Sequence, residues 1–245
     1  MKVLEVLLES LEQDALVKEL RIGPFWTAVV SAGCGLAATV AVHGLEGDPP
    51  VVEAGHLAGR SARRTAQLAL SSSSLERSIG VAAMNSLISP LAEGLEINAL
   101  DLLLRRGAGK RVVLVGHFPF VPRLRAGVRT LWVLEKTPLP GDLPEGLAEE
   151  VVPLADLLAI SASALVYGGL DRLLALRRPG ALVVLLGPSA PLTPLWFDLG
   201  VDVVSGSRVI DIPWVLRQLG EGAIFHQLRQ QGVRLCTLVK PGVGL

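Results

Sequence analysis

Arg111-Val-Val-Leu-Val115-Gly116-His117-Phe118-Pro119, followed by Leu131-Trp-Val-Leu-Glu135, is the most informative segment of the chain. It reads as a buried strand ending in a tight loop, then a second buried strand ending in an acid. That layout matches the ligand-binding edge of a doubly wound α/β sheet. There the first loop faces the ligand, and the acid after the second strand accepts hydrogen bonds from hydroxyls. The loop is Gly-His-Phe-Pro rather than G-x-G-x-x-G, so the pattern places a ligand without naming it.

Working outward, short apolar runs recur at 112–115, 131–134, 157–160, 182–186 and 201–204. None alternates with polar residues, as expected of a parallel sheet buried on both faces. Helices are expected at 170–176 and 212–219, and a last strand at 234–239. Each strand is followed by small or polar residues: Gly116 to Pro119, then Glu135 to Pro138 with Gly141 and Asp142, then Ser161 and Ser163, then Gly187, Pro188 and Ser189, then Ser205 to Ser207. Strand-to-helix loops favour such residues in any protein. Their recurrence at one sheet edge, with glycines that let backbone approach a ligand, points to a cleft there.

The first part of the chain has a different texture. Leu4, Leu7, Leu8, Leu11 and Leu16 give a helical stripe. Strands are expected at 25–30 and 36–42, joined by a turn in which Gly33 and Gly35 supply positive φ. A polar loop at 44–50 and a helix at 61–69 follow, then a helix at 75–87 capped by Ser74. On that helix Ser78, Ala82 and Asn85 share one small, polar face. The face suits either close packing or a cleft into which Asn85 points. A helix at 98–106 ends at Gly107-Ala108-Gly109, which divides the chain into residues 1–108 and a compact Rossmann-like α/β part, 109–245.

Half of the 245 residues are hydrophobic and 19% are charged, which excludes disorder. Acids and bases balance at 23 each, which argues against a nucleic-acid binder held by bulk charge. Cys34 and Cys236 form no CxxC pattern, so neither a disulfide framework nor a thiolate zinc site is expected. The uncharged stretches at 22–45 and 179–197 are broken by Gly and Pro and do not suit a membrane span. A soluble cytoplasmic protein is expected, with enough apolar surface for a homodimer.

Three residues carry the chemistry of the edge. His117 could ligate a metal, act as a base or donate to an anion. Glu135 could read a pair of hydroxyls or form an ion pair. Asp142 lies in a Pro-Gly-Asp turn. A divalent metal would need His117, Glu135 and Asp142 to converge. No G-x-S-x-G elbow and no P-loop consensus is present, which disfavours a serine hydrolase or P-loop ATPase.

The run Ser78-Ile-Gly-Val-Ala-Ala-Met-Asn85, the loop Val115 to Pro119, the segment Leu134-Glu135 to Gly141-Asp142, the run Leu186-Gly-Pro-Ser189 and the run Val204-Ser-Gly206 occur in this order. Together they resemble the prokaryotic family described as "putative heavy-metal chelation". The resemblance implies a small α+β domain like the N-terminal domain of enolases, followed by an atypical Rossmann-like domain, with the site between them. It implies ligand contacts from Asn85, Gly116, His117, Phe118, Pro119, Glu135, Asp142, Gly187, Pro188 and Ser189. The expected ligand is a metal or a metal-chelating small molecule. The alternative is an enzyme with a nucleotide-like cofactor on Glu135.

Overall fold

The computed structural model describes residues 2–40, 51–88 and 94–244. The loop expected at 44–50 and the end of the strand expected at 36–42 lie outside them.

Helix α1 (Val3–Glu9) buries Val3, Leu7 and Leu8. It is shorter than the leucine stripe suggests, and Leu16 lies beyond its end, exposed. Strands β1 (Glu19–Ile22), β2 (Trp26–Val30) and β3 (Cys34–Ala38) form an antiparallel sheet in that order. The sequence pattern did not mark β1, because a charged edge strand with two exposed residues carries no apolar run. The glycines of the hairpin also act differently from expectation: neither Gly33 nor Gly35 has positive φ. Gly35 lies inside β3, where a Cβ would stand 2.1 Å from the Ala82 carbonyl oxygen. Its task is close approach to a helix.

That helix is α3 (Ser74–Ile88). Its other side meets the 3-10 turn Gln67–Leu70, which continues α2 (Ala62–Ala66). A Cβ on Gly80 would stand 1.9 Å from the Ala69 backbone nitrogen. Glycine is therefore kept in a helix interior because two backbones touch there. Ser73, rather than the expected Ser74, accepts a hydrogen bond from the Glu76 N–H in the first turn. Glu76 is buried and accepts from the Val52 N–H and the Ser71 hydroxyl.

The second sheet begins after α4 (Ala99–Gly107), which Asn98 caps through the Leu100 N–H. Its strands are β4 (Arg111–Val115), β5 (Thr130–Glu135), β6 (Leu143–Pro144), β7 (Leu157–Ser161), β8 (Leu182–Leu186), β9 (Val203–Val209) and β10 (Val233–Val239). The order across the sheet is β10-β9-β8-β7-β4-β5-β6, and only β10 runs antiparallel. Counted from β4, the parallel strands follow the doubly wound order, with the reversal between β4 and β7. Helices α5 (Val121–Gly127), α6 (Ala148–Val151), α7 (Ala164–Tyr167) and α8 (Leu170–Leu176) lie in the connections. The link from β8 to β9 contains only the 3-10 turn Pro194–Phe197, in which buried Trp196 donates to the Pro191 carbonyl.

The unbroken apolar runs are explained by two buried faces. Val113, Leu158, Ile160, Val183 and Leu185 join one core with α3, α7 and α8. Val112, Leu114, Leu157, Ala159 and Val184 join another with α4 and α5. The leucines of α4 thus side with the sheet that follows Gly107. The strand expected at 201–204 starts at Val203 and runs to Val209, so Ser205, Gly206 and Ser207 are buried in the ladder with β10 and form no strand-end loop. The three-stranded sheet is also sandwiched. Val29 and Ala37 face the first core, while Ala28, Val30 and Leu36 pack against α9 (Ile212–Gly220) and α10 (Phe225–Leu228). Among the described residues no helix is long and apolar enough to cross a membrane.

At the opposite end of the sheet, just before β7 begins, Asp156 ties the start of β4 to the segment leading into β8. It accepts from the Arg111 backbone N–H at 2.9 Å, the Arg111 guanidinium at 3.0 and 3.1 Å, and Arg178 at 2.7 Å. The Arg111 guanidinium, then the Arg111 N–H, hold its carboxyl well below the usual carboxylate range.

Two predictions follow from the packing and the ion cluster. Gly80→Ala should destabilise the protein by about 1–3 kcal/mol in urea unfolding, because overpacking against backbone outweighs alanine's helix propensity of about 1 kcal/mol. A neutral or stabilising result would contradict the contact. Asp156 has a depressed folded pKa, so its contribution is present above the ordinary carboxylate pKa of about 4 and is lost as pH falls below it. Asp156→Asn should therefore flatten the acid limb of urea midpoint against pH, and an unchanged limb would remove Asp156 from the account.

Candidate functional site

Parallel register assembles the site. Val115 lies opposite Leu134 on β5 and opposite Ile160 on β7, and Ser161 lies opposite Leu186 on β8. The next residues along, Gly116, Glu135, Ser161 and Gly187, therefore come to one edge on four adjacent strands. Gly116 has φ +99°, and a Cβ there would meet Ser161 Cβ at 2.9 Å. Only glycine lets the chain turn at the strand-order reversal beside Ser161.

The turn of the Gly116 loop is pinned by Glu135. Its Oε2 accepts from the His117 N–H and its Oε1 from the Lys136 N–H, each at 2.8 Å. The imidazole of His117 is then met by a second turn. Leu139-Pro140-Gly141-Asp142 closes with the Asp142 N–H donating to the Leu139 carbonyl, and Gly141 has φ +90°. Proline then glycine at the two central positions suits a type II turn. Asp142 Oδ2 accepts from the Leu139 N–H and lies 2.7 Å from His117 Nδ1. The Asp142 side chain is 1% exposed and that of His117 29%. A carboxylate only accepts, so Nδ1 carries the proton, and in the neutral ring Nε2 holds the lone pair. Asp142 Oδ1 is buried with no hydrogen-bond partner among the described residues.

Gly116, His117 and Glu135 border a cleft of about 310 Å³, whereas Asp142 does not line it and reaches it only through the His117 ring. One wall is the large sheet's edge, with Gly116, His117, Phe118, Glu135, Ser161 and Ser163. The opposite wall comes from the small sheet, through Trp26 and Ala38. Ser161 and Ser163 share a hydrogen bond of 2.8 Å. Phe118 stacks on Phe120 with ring centroids 5.0 Å apart. Lys136, Glu145 and Tyr167 also line it. Sequence reasoning had not assigned these three, nor Trp26. The available signals were Lys136 beside Glu135 and the chain's only tyrosine ahead of two glycines.

Other expected contacts lie outside the lining. Asn85 is 1% exposed, and its Nδ2 donates to Leu36 O at 2.8 Å and Ser189 O at 3.1 Å. Ser189 Oγ accepts from the Ala38 N–H at 2.9 Å. The pair clamps β3 to the loop after β8 and so sets where the Ala38 wall stands. Ser78 bonds the Val40 N–H in the same joint. Gly187, with φ +122°, and Pro188 form the turn that carries Ser189, and Pro119 is exposed beside the loop. Asn85 Oδ1 has no hydrogen-bond partner among the described residues.

His117, Glu135 and Asp142 do come together, but through each other and through backbone. Among the described residues no group of three or more His, Cys, Asp or Glu side chains is disposed to hold a metal ion. Both Glu135 oxygens accept N–H bonds, and Asp142 is buried behind the imidazole. The donor set does not fit a resident three-ligand centre. The thiols offer no substitute: burial raises Cys34 to about 12 and also pushes Cys236 up.

Residues 4–88 match the family DUF4213 and residues 98–236 the family DUF364, both described as "Putative heavy-metal chelation". An uncharacterized protein of Methanocaldococcus jannaschii is 29% identical over 154 residues, and the match spans 59% of each chain. A crystal structure of a DUF364-family protein of unknown function from Desulfitobacterium hafniense superposes with a TM-score of 0.85 at 27% identity, covering 97% of this chain and 98% of that one. One from Pyrococcus horikoshii gives 0.77 at 21% identity over 96% and 97%, a likeness of fold. With the DUF364 match covering more than half of the sequence and including the His117 loop, Glu135 and Asp142, the chain belongs to the DUF364 family of "Putative heavy-metal chelation".

Proposed function

We propose that the cleft binds a small molecule that brings its own metal ion, a chelate rather than a bare ion, and that His117 Nε2 is the protein's donor to it. The observation that carries this reading is the His117–Asp142 pair beside the strand-order reversal. A carboxylate on the far nitrogen is how proteins fix the tautomer and orientation of a metal-binding imidazole. One such imidazole, with no grouped side-chain donors around it, completes a coordination sphere and does not create one. The family description supports a metal in the ligand. In this reading residues up to 88 form the enolase N-terminal-like cap, and the sheet from β4 forms the Rossmann-like body, with α4 riding on the body.

A nucleotide-like cofactor at the same edge is the weaker reading. Its ribose would call on Glu135, whose oxygens already hold the His117 and Lys136 N–H groups. The loop also lacks the glycine fingerprint for a pyrophosphate.

Calorimetric titration with zinc–iminodiacetate, a chelate with open coordination positions, should show binding that zinc ion alone does not match. His117→Ala should abolish it, and Asp142→Asn should weaken it about 10–100-fold. Equal binding of the free ion, or a response unchanged in His117→Ala, would overturn the proposal.

A further inference from the structure

Lys136 Nζ lies 4.5 Å from the centroid of the Tyr167 ring and 4.0 Å from Glu145 Oε2. All three residues line the cleft. An aromatic face beside a carboxylate is the chemistry that receives an ammonium ion, because the ring quadrupole and the formal charge attract it together. Here the chain's own ammonium is the occupant.

The hold on Lys136 is weak. Its side chain is 47% exposed, and 4.0 Å to the carboxylate is an ion pair without a close hydrogen bond. Exposed pairs of this kind contribute little, because water screens them. Gly168 and Gly169, both with positive φ, turn the chain directly after Tyr167, and a Cβ on Gly169 would lie 3.7 Å from Glu145 Oε1. The tyrosine loop is thereby brought alongside the glutamate.

The charge of the cleft has the same sense. Among the described residues its lining holds the carboxylates of Glu135 and Glu145 against the one ammonium of Lys136, with Asp142 behind His117. Moving Lys136 aside leaves a net negative cleft that an incoming cation neutralises and an incoming anion does not.

We infer that Tyr167 and Glu145 form a subsite for an organic ammonium group of the ligand, and that Lys136 occupies it until the ligand displaces it. The inference rests on the cleft being the ligand site and is independent of what meets His117. A cationic ligand group would exchange places with Lys136, whose flexible stem can swing toward solvent.

The single tyrosine makes the test clean, since ring-labelled tyrosine gives the signals of Tyr167 alone. Tetramethylammonium chloride is titrated into the full chain, with sodium chloride at equal ionic strength and tert-butanol as the uncharged comparison. Tetramethylammonium should shift the Tyr167 ring signals saturably. It should bind Lys136→Met about fivefold more tightly than the unmodified protein, and Lys136→Met with Glu145→Gln should lose that gain. Lys136→Gln, which keeps a polar side chain, should behave as Lys136→Met does. The inference is overturned if no saturable shift occurs, if tert-butanol shifts the ring equally, or if removing the lysine charge leaves the affinity unchanged. Zinc–iminodiacetate titrated into the same variants reads the His117 end separately. Chelate binding without tetramethylammonium binding sinks the subsite and leaves the chelate reading intact, and the reverse sinks only the chelate reading.

Discussion

The reversal of strand order between β4 and β7 is the constraint on which the rest of this molecule depends. Connections leaving the two strands go to opposite faces, so the sheet edge opens where they part. The register then decides which residues stand at the opening. Because Val115 is level with both Leu134 and Ile160, the residues that follow arrive together as Gly116, Glu135 and Ser161. A side chain at position 116 would collide with Ser161, so the turn and the reversal require the same glycine. Glu135 is spent on holding that turn, which frees the imidazole of His117 to be aimed by a different group.

The opposite wall is positioned by equally specific contacts. Helix α3 lies against β3 on one side and the 3-10 turn on the other, each at backbone distance, through Gly35 and Gly80. Such packing leaves little room for sliding. Asn85 donates to both β3 and the loop after β8, and Ser189 accepts from β3, so the two are locked together. The small sheet's far face is covered by α9, from near the end of the chain. The cleft therefore has two walls built from distant parts of the sequence, and the residues that join them are buried rather than ligand-facing.

Much of this was legible in the sequence, for reasons that can be named. Buried parallel strands announce themselves as unbroken apolar runs, and five of the large sheet's strands were visible that way. His117, Glu135 and Asp142 were legible because a strand-end position and a Pro-Gly-Asp turn have local signatures. What each does was not legible. Glu135 faces backbone N–H groups because of how the loop closes, and no spacing rule encodes that. Asn85 could be placed on a small polar helix face, but the choice between cleft and clamp depended on a loop 104 positions away. Gly35 was misread as a turn residue because close packing and positive φ both select glycine. Strand β1 and the cleft residues Trp26, Lys136, Glu145 and Tyr167 left only faint local marks, since tertiary placement alone makes them matter.

The central claim is that Asp142 fixes His117 so that its lone-pair nitrogen, Nε2, is the one offered to the cleft. Long-range nitrogen–proton NMR of histidine-labelled protein tests this directly, with His117 assigned by its absence in His117→Ala. With the ring neutral, the expected tautomer is protonated at Nδ1, with a change at Nε2 when zinc–iminodiacetate is added. A ring protonated at Nε2, with Nδ1 as the lone-pair nitrogen, would contradict it.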